Sequence, residues 1–265
     1  MTQTHDRTEG FLWRLLEGNL PALLASFEGE PLLDDPMVGR VAGTPAFKYF
    51  ARERKAWVAE HSARLGIVRT TRSGSRAVFE GLLHLQLPGR AVELPVAVVG
   101  DLAATGRLRA IRLYHSLWAL FGEHRVRPPL LPPAHNLKLT GVIADYQRAL
   151  AIGDVDAIVN TFEPDGYFRE PAGGDHVFRG PERLREFMAQ ILAPGGITLE
   201  HCTVTDDGIA CAIEFNAVRF GKQPLAPQAG VAVYERGVGG KLWGARVYDD
   251  VNVEALAPPA AISGD

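Results

Sequence analysis

The sequence predicts an α+β protein built from two tandem copies of one small domain, each with three helices packed on a curved, mostly antiparallel sheet. Three observations predict it. The chain matches itself when slid by 135 positions, a proline-rich run separates the two copies, and within the second copy helical spacing gives way to strand alternation.

The repeat is gapless at its start: Phe11 falls on Tyr146, Leu15 on Leu150, Gly18 on Gly153, Ala22 on Ala157, Phe27 on Phe162, Glu28 on Glu163, Asp35 on Glu170 and Pro36 on Pro171. Small insertions then shift the offset, so that Gly43 meets Gly180, Phe50 meets Phe187 and Glu60-His61 meets Glu200-His201. The match tightens again at the end, where Gly106-Arg107-Leu108 and Arg112-Leu113-Tyr114 face Gly240-Lys241-Leu242 and Arg246-Val247-Tyr248. Between the copies, the prolines from Pro128 to Pro133 fix φ and remove backbone donors, so that stretch is expected to be an extended, semi-rigid spacer. The expected organisation is a first domain over 1–123, a linker over 124–138, a second domain over 139–254 and a disordered tail over 255–265.

Each element of the second copy follows from its spacing. Val142, Ile143, Tyr146, Ala149 and Leu150, then Val155, Ile158, Val159 and Phe162, recur at three and four residues and predict two helices. Gly153 stops the first and Asp154 caps the second. Gly180-Pro181-Glu182 opens a third helix running to about Leu192, with Leu184, Phe187, Met188 and Ile191 as its buried stripe. After Gly195-Gly196 the pattern alternates: Ile197–Thr205, Ile209–Phe220, Gln228–Arg236 and Lys241–Val251 read as long antiparallel strands. A curved sheet closed by helices leaves a hollow suited to a small apolar ligand.

Composition narrows the function classes. With 265 residues, 46% hydrophobic and 22% charged, and a formal charge of −3 spread without basic blocks, the chain reads as a soluble globular protein that does not bind nucleic acid. Cys202 and Cys211 alone imply neither a disulfide framework nor a zinc site, and no metal or organic cofactor is expected. The N-terminus lacks the pattern of a secretory signal and no apolar run approaches a membrane span, which predicts a cytoplasmic protein.

At Tyr146, Ala151-Ile-Gly-Asp-Val-Asp-Ala-Ile158, Phe168-Arg-Glu-Pro171, Gly180 and Tyr248-Asp-Asp-Val-Asn252, the second half resembles the ketosteroid isomerases. These belong to the nuclear transport factor 2-like superfamily, with the SnoaL-type polyketide cyclases and dehydratases. The resemblance implies a cone-shaped domain and extends, through the repeat, to the first half. It places the family's general base on Glu170 and on Asp35, and its oxyanion-binding tyrosine on Tyr146, where the first half has Phe11. A carboxylate drawn out of water into an apolar hollow has a raised pKa and can exchange protons near neutrality. The isomerases' second, protonated aspartate aligns with Gly230, and no carboxylate is expected to replace it nearby.

The resemblance extends to the tandem polyether epoxide-opening cyclases, which pair the acid-Pro carboxylate with a second acid on the first long strand. That implies pairs Glu170 with Glu200 and Asp35 with Glu60, unless each second Glu lies on the solvent face of its strand. Asp249 and His115 align with each other on the final strand; Asp249 is a candidate acid, and Asp35 with His115 would suit dehydration.

The expectation is a cofactor-independent acid-base enzyme of isomerase or cyclase type, acting on a hydrophobic oxygenated small molecule such as a polyketide or steroid. The alternatives are an epoxide-opening cyclase or hydrolase and a non-catalytic binding or interaction module. The two halves are expected to pack as a pseudo-dimer around a degenerate first site, although the first half keeps Asp35 and the second keeps Tyr146, which leaves open which half works.

Overall fold

A computed structural model describes residues 7–174 and 176–250. The tail expected over 255–265 lies outside the described residues, as do Val251 and Asn252 of the final motif. The first half runs α1 (Arg7–Glu17), α2 (Leu20–Ala25), β1 (Leu32–Asp35), β2 (Gly39–Ala42), α3 (Thr44–Glu60), β3 (Arg64–Ser73), β4 (Arg76–Leu87), β5 (Arg90–Leu102), β6 (Leu108–Tyr114) and the short α4 (Trp118–Phe121). The second half runs α5 (Gly141–Ile152), α6 (Val155–Asn160), β7 (Phe162–Arg169), β8 (Val177–Arg179), α7 (Pro181–Ile191), β9 (Ile197–Asp206), β10 (Ala210–Phe220), β11 (Gln223–Arg236) and β12 (Leu242–Val247).

Each half forms one six-stranded sheet, and the two strand orders are the same: β2-β1-β6-β5-β4-β3 and β8-β7-β12-β11-β10-β9. All pairings are antiparallel except β1 with β6 and β7 with β12. Local chemistry repeats with the topology. Asn19 accepts from the Ala22 N–H at the start of α2, and Asp154 accepts from the Ala157 N–H at the start of α6. Gly43 and Gly180 precede α3 and α7 at φ of 82° and 78°, a conformation that L side chains rarely adopt, and Pro follows within two residues in both. The halves differ in the length of that third helix, which has 17 residues in α3 and 11 in α7.

The helices cover one face of each sheet and enclose a separate apolar core. The opposite faces of the sheets meet, and there Val78, Val99, Ala212, Val231 and Val233 are buried against one another. Burying side chains of this size contributes about 1.5–3 kcal/mol each. Two buried ion pairs cross this junction in reciprocal fashion. Arg112 of β6 forks onto Glu214 of β10, Nε to Oε1 at 2.5 Å and Nη2 to Oε2 at 2.9 Å, and the Tyr114 hydroxyl donates to the same carboxylate at 2.8 Å. Arg246 of β12 forks onto Glu80 of β4 at 2.7 and 2.8 Å, and the Tyr248 hydroxyl donates to it at 2.6 Å. The bidentate geometry and the added phenol satisfy carboxylates that burial would otherwise make costly.

The connection between the halves is a docked strap. The Arg127 carbonyl accepts from Ala229 N–H, the Leu131 carbonyl accepts from the Asn216 amide, and Ala134 N–H donates to the His201 carbonyl. These bonds lay the proline-rich stretch across β9, β10 and β11, so that the backbone groups left by the prolines find partners in the second sheet.

Candidate active site

The second half encloses a cavity of about 370 Å³, within the usual range of small-molecule sites. Its walls are largely apolar, with Phe168, Phe187, Phe215, Leu199 and Leu225 among them. Into it project Tyr146 from α5, Glu170 from the end of β7, His176 from the following loop, Tyr234 from β11 and Asp249 just beyond β12.

Glu170 is fixed by its backbone. Its N–H donates to the His176 carbonyl and its carbonyl accepts from Gly173 N–H, closing a tight loop that starts at Pro171. His176 Nδ1 lies 3.2 Å from Glu170 Oε2. Burial raises the Glu170 pKa, and the His176 and His124 imidazoles oppose that rise.

Asp249 is the more strongly perturbed acid. Its pKa is pushed up to about 7, first by burial, then by the neighbouring Asp250 carboxylate, with Glu170 adding further repulsion. Burial and the charges of Asp250 and Glu170 favour the protonated form of Asp249, whereas the His176 and His124 imidazoles favour the ionised form of Glu170.

The expectation that no carboxylate stands in for the isomerases' aspartate is therefore wrong. β11 and β12 pair with Ala232 opposite Val247, which brings Asp249 alongside Gly230. A Cβ on Gly230 would lie 2.8 Å from the Asp249 Cβ and 2.6 Å from the Phe215 ring. Glycine is needed there because the aspartate arrives from the adjacent strand. Sequence alignment looked for the acid on the wrong strand; the register supplies it.

Tyr146 is buried, with its ring 5.1 Å from that of Tyr234, and burial raises its pKa. Among the described residues nothing holds its hydroxyl, which leaves the O–H free to donate into the cavity. Tyr234, which sequence reasoning missed, is oriented by Gln147, whose Nε2 donates to its hydroxyl at 2.7 Å; Gln147 Oε1 in turn lies 3.2 Å from His201 Nε2. Its signal is the inward phase of the alternation along β11, a stretch that the sequence identifies only as a strand.

Two predicted acids are not in either cavity. Glu200 is exposed on β9, opposite Asn216, on the solvent face. Glu60 is the exposed last residue of α3 and not a strand residue. The Glu60-Glu200 correspondence fails because α3 is longer than α7: by register the partner of Glu200 is Gly66, since Asn216 faces Glu200 as Leu82 faces Gly66. The pairs Glu170–Glu200 and Asp35–Glu60 are thereby ruled out as shared-pocket acids.

Asp35 is buried but engaged. Arg54 Nη2 donates to its Oδ2 at 2.8 Å, and the N–H groups of Met37 and Val38 donate to Oδ1 at 2.8 and 3.1 Å. It shares with His115 a cavity of only about 40 Å³, closed by Leu83, Leu94 and Leu120. Burial lowers the His115 pKa, against the pull of Asp35. Phe11, in the position of Tyr146, packs edge-on to Phe27 and has no hydroxyl to offer.

Among the described residues no group of three or more His, Cys, Asp or Glu could hold a metal ion. Among the described residues no helix is long and apolar enough to cross a membrane.

No curated protein matches the chain. Similar solved structures include the epoxide hydrolase/cyclase-like enzyme SalBIII, described for its role in pyran ring formation in the polyether salinomycin; it is 26% identical over 40% of this chain and 86% of that one, with a TM-score of 0.34. Nuclear transport factor 2-like proteins of unknown function from Cytophaga hutchinsonii (16% identical, covering 43% of this chain and 92% of that one, TM-score 0.33) and Burkholderia xenovorans (19% identical, 45% and 85%, TM-score 0.34) also match. Residues 143–245 match the family model of the SnoaL-like domain. The second half of the chain is thus similar to a SnoaL-like domain, and the first half repeats its strand order.

Proposed function

We propose that the second half is a cofactor-independent acid-base catalyst of isomerase or cyclase type, acting on a hydrophobic oxygenated small molecule. The observation that carries this reading is a pair of interacting carboxyl groups, Glu170 and Asp249, in one apolar cavity with separated proton affinities. Glu170 takes a proton from a carbon beside a carbonyl or from a hydroxyl of the substrate. Asp249 gives its proton to the oxygen on which charge develops, and the Tyr146 hydroxyl donates a hydrogen bond to that oxygen. One proton enters the protein and one leaves, so neither metal nor redox partner is required by the balance. The rigid, water-poor wall strengthens both interactions.

The same pair supports epoxide opening as a second reading. Glu170 would deprotonate the attacking hydroxyl, the new C–O bond would form as the epoxide C–O bond breaks, and Asp249 would protonate the departing oxygen. Asp249 takes the role that sequence reasoning gave to Glu200.

The test is a thermal-shift titration of the intact protein against apolar phenols, polyphenolic ketones and epoxides, followed by product analysis of the compounds that bind. Glu170→Gln and Asp249→Asn should each lower turnover by roughly 10²–10⁴-fold, whereas Asp35→Asn should leave it unchanged. Full activity in Glu170→Gln would overturn the assignment, and ligand binding without turnover in the wild type would favour a binding module.

A further inference from the structure

The cavity of the second half is not made by the second half alone. Ser116 and Trp118, which follow the first half's last strand, and His124 at the start of the strap stand at its wall. His124 is held on two sides. Its ring stacks on that of Trp118 at 4.7 Å and 15°, and its Nδ1 lies 2.7 Å from Asp250 Oδ1. Asp250 is buried and also accepts from the Ser116 hydroxyl at 2.7 Å, Leu117 N–H at 3.0 Å and Arg125 N–H at 2.8 Å. A carboxylate that gathers donors in this way is an acceptor toward the imidazole as well, so Nδ1 carries the hydrogen and Nε2 is the nitrogen left for the cavity.

We propose, building on the acid-base reading above, that His124 is a titratable residue of the second half's site, oriented by Asp250 and delivered by the segment that joins the halves, and that it acts together with His176 on Glu170. The arrangement has the parts of a base and its orienting carboxylate: a buried acceptor, a ring fixed by stacking, and a second ring nitrogen with no hydrogen-bond partner among the described residues, on a side chain that lines the cavity. Asp250 contacts His124 directly; His176 and His124 act on Glu170 by charge, and Asp250 and Glu170 act on Asp249. In the protonated state His124 favours the ionised form of Glu170, which keeps the base and the acid of the site distinct. Because the first half supplies Trp118 and Ser116, the first half is a structural part of the second half's site.

The test follows the Glu170 carboxyl by carbon NMR through a pH titration of the intact, substrate-free protein. The expected result is a Glu170 midpoint higher by about half a pH unit or more in His124→Gln, restored by His124→Lys, which keeps a cation next to Asp250. His176→Gln serves as the comparison for the other imidazole. An unchanged midpoint in a folded His124→Gln protein would overturn the proposal. Nitrogen NMR of the wild type supplies a measurement that needs no variant: above its titration, the His124 ring should carry hydrogen on Nδ1 and not on Nε2, and the reverse tautomer would equally sink the idea. Neither readout depends on turnover. Failure of the cavity to bind 2-naphthol, an apolar phenol, would instead count against the functional reading while leaving the His124 coupling to be judged by its own titration.

Discussion

The two halves share a strand order and a helix plan, yet one encloses about 370 Å³ and the other about 40 Å³. The difference lies in a few inward positions that the register equates. Where the second half sets Ala217 opposite Gln228, the first sets Leu83 opposite Leu94; where the second sets Phe215 opposite Gly230, the first sets Gly81 opposite Val96. Leu83, Leu94 and Val96 fill the first hollow, and Leu120 of α4 closes it. Arg54 then neutralises the one carboxylate left inside. Closing a site in this fold thus takes ordinary core packing and one cation, with no change of topology. The neighbouring residue Trp118 faces the second cavity, so one four-residue helix plugs one site and walls the other.

The largest expected effect probes what the halves have in common. Glu80→Gln and Glu214→Gln each take from a buried arginine one of its two carboxylates and should cost about 3–5 kcal/mol in urea unfolding. Arg112 would keep Asp101, at 2.6 Å, and Arg246 would keep Glu235, at 2.8 Å, so the two losses should be similar. A loss within about 1 kcal/mol, as for a surface pair, would show that the junction does not hold the halves together.

Next in size is a pH dependence peculiar to the second half. Unfolded Asp249 has a pKa near 3.9, while folded it titrates at about 7. Its contribution to stability is fully present below the unfolded value and is lost as pH rises through the folded one, about 4 kcal/mol across that window. Asp249→Asn removes this loss, so urea midpoints should favour the variant more at pH 8 than at pH 4.5. A gap independent of pH would place the Asp249 carboxyl in water.

The smallest effect sharpens the comparison directly. Ala217→Leu gives the second half the residue of the first, and should weaken 2-naphthol binding by about tenfold or more while changing stability by less than about 1.5 kcal/mol. Undiminished binding would mean that Leu83 is not what closes the first hollow.

Much of this was legible in the chain. The gapless repeat from Phe11 to Pro171, the Gly-Pro helix starts and the change from helical spacing to alternation led to the observed element order. Glu170, Tyr146 and Asp249 were named as candidates, and all three line one cavity. What was not legible depends on register and on contact between distant segments. The longer α3 put Glu60 against Glu200, and only the strand pairing shows Gly66 in that place. Likewise, the replacement of the isomerases' aspartate by Asp249 requires knowing that β12 runs beside β11 with that residue over Gly230. Arg54, nineteen residues beyond Asp35, is invisible as its partner until α3 folds back over β1. His124 looked like the first residue of a spacer because its neighbours, Trp118 and Asp250, are brought to it by both halves at once.

The crossed Arg–Glu forks have a consequence for the history of such a chain. Each sheet contributes one cation and one anion to the other, so either half released alone would bare a glutamate without the arginine that forks onto it. Once two copies have traded charges in this way, losing one of them is no longer tolerated, whatever becomes of its hollow. The fusion works as a ratchet: it holds the first copy in place as scaffold whatever fills its hollow, which is the condition under which leucines and an arginine can stand there without harm to the whole.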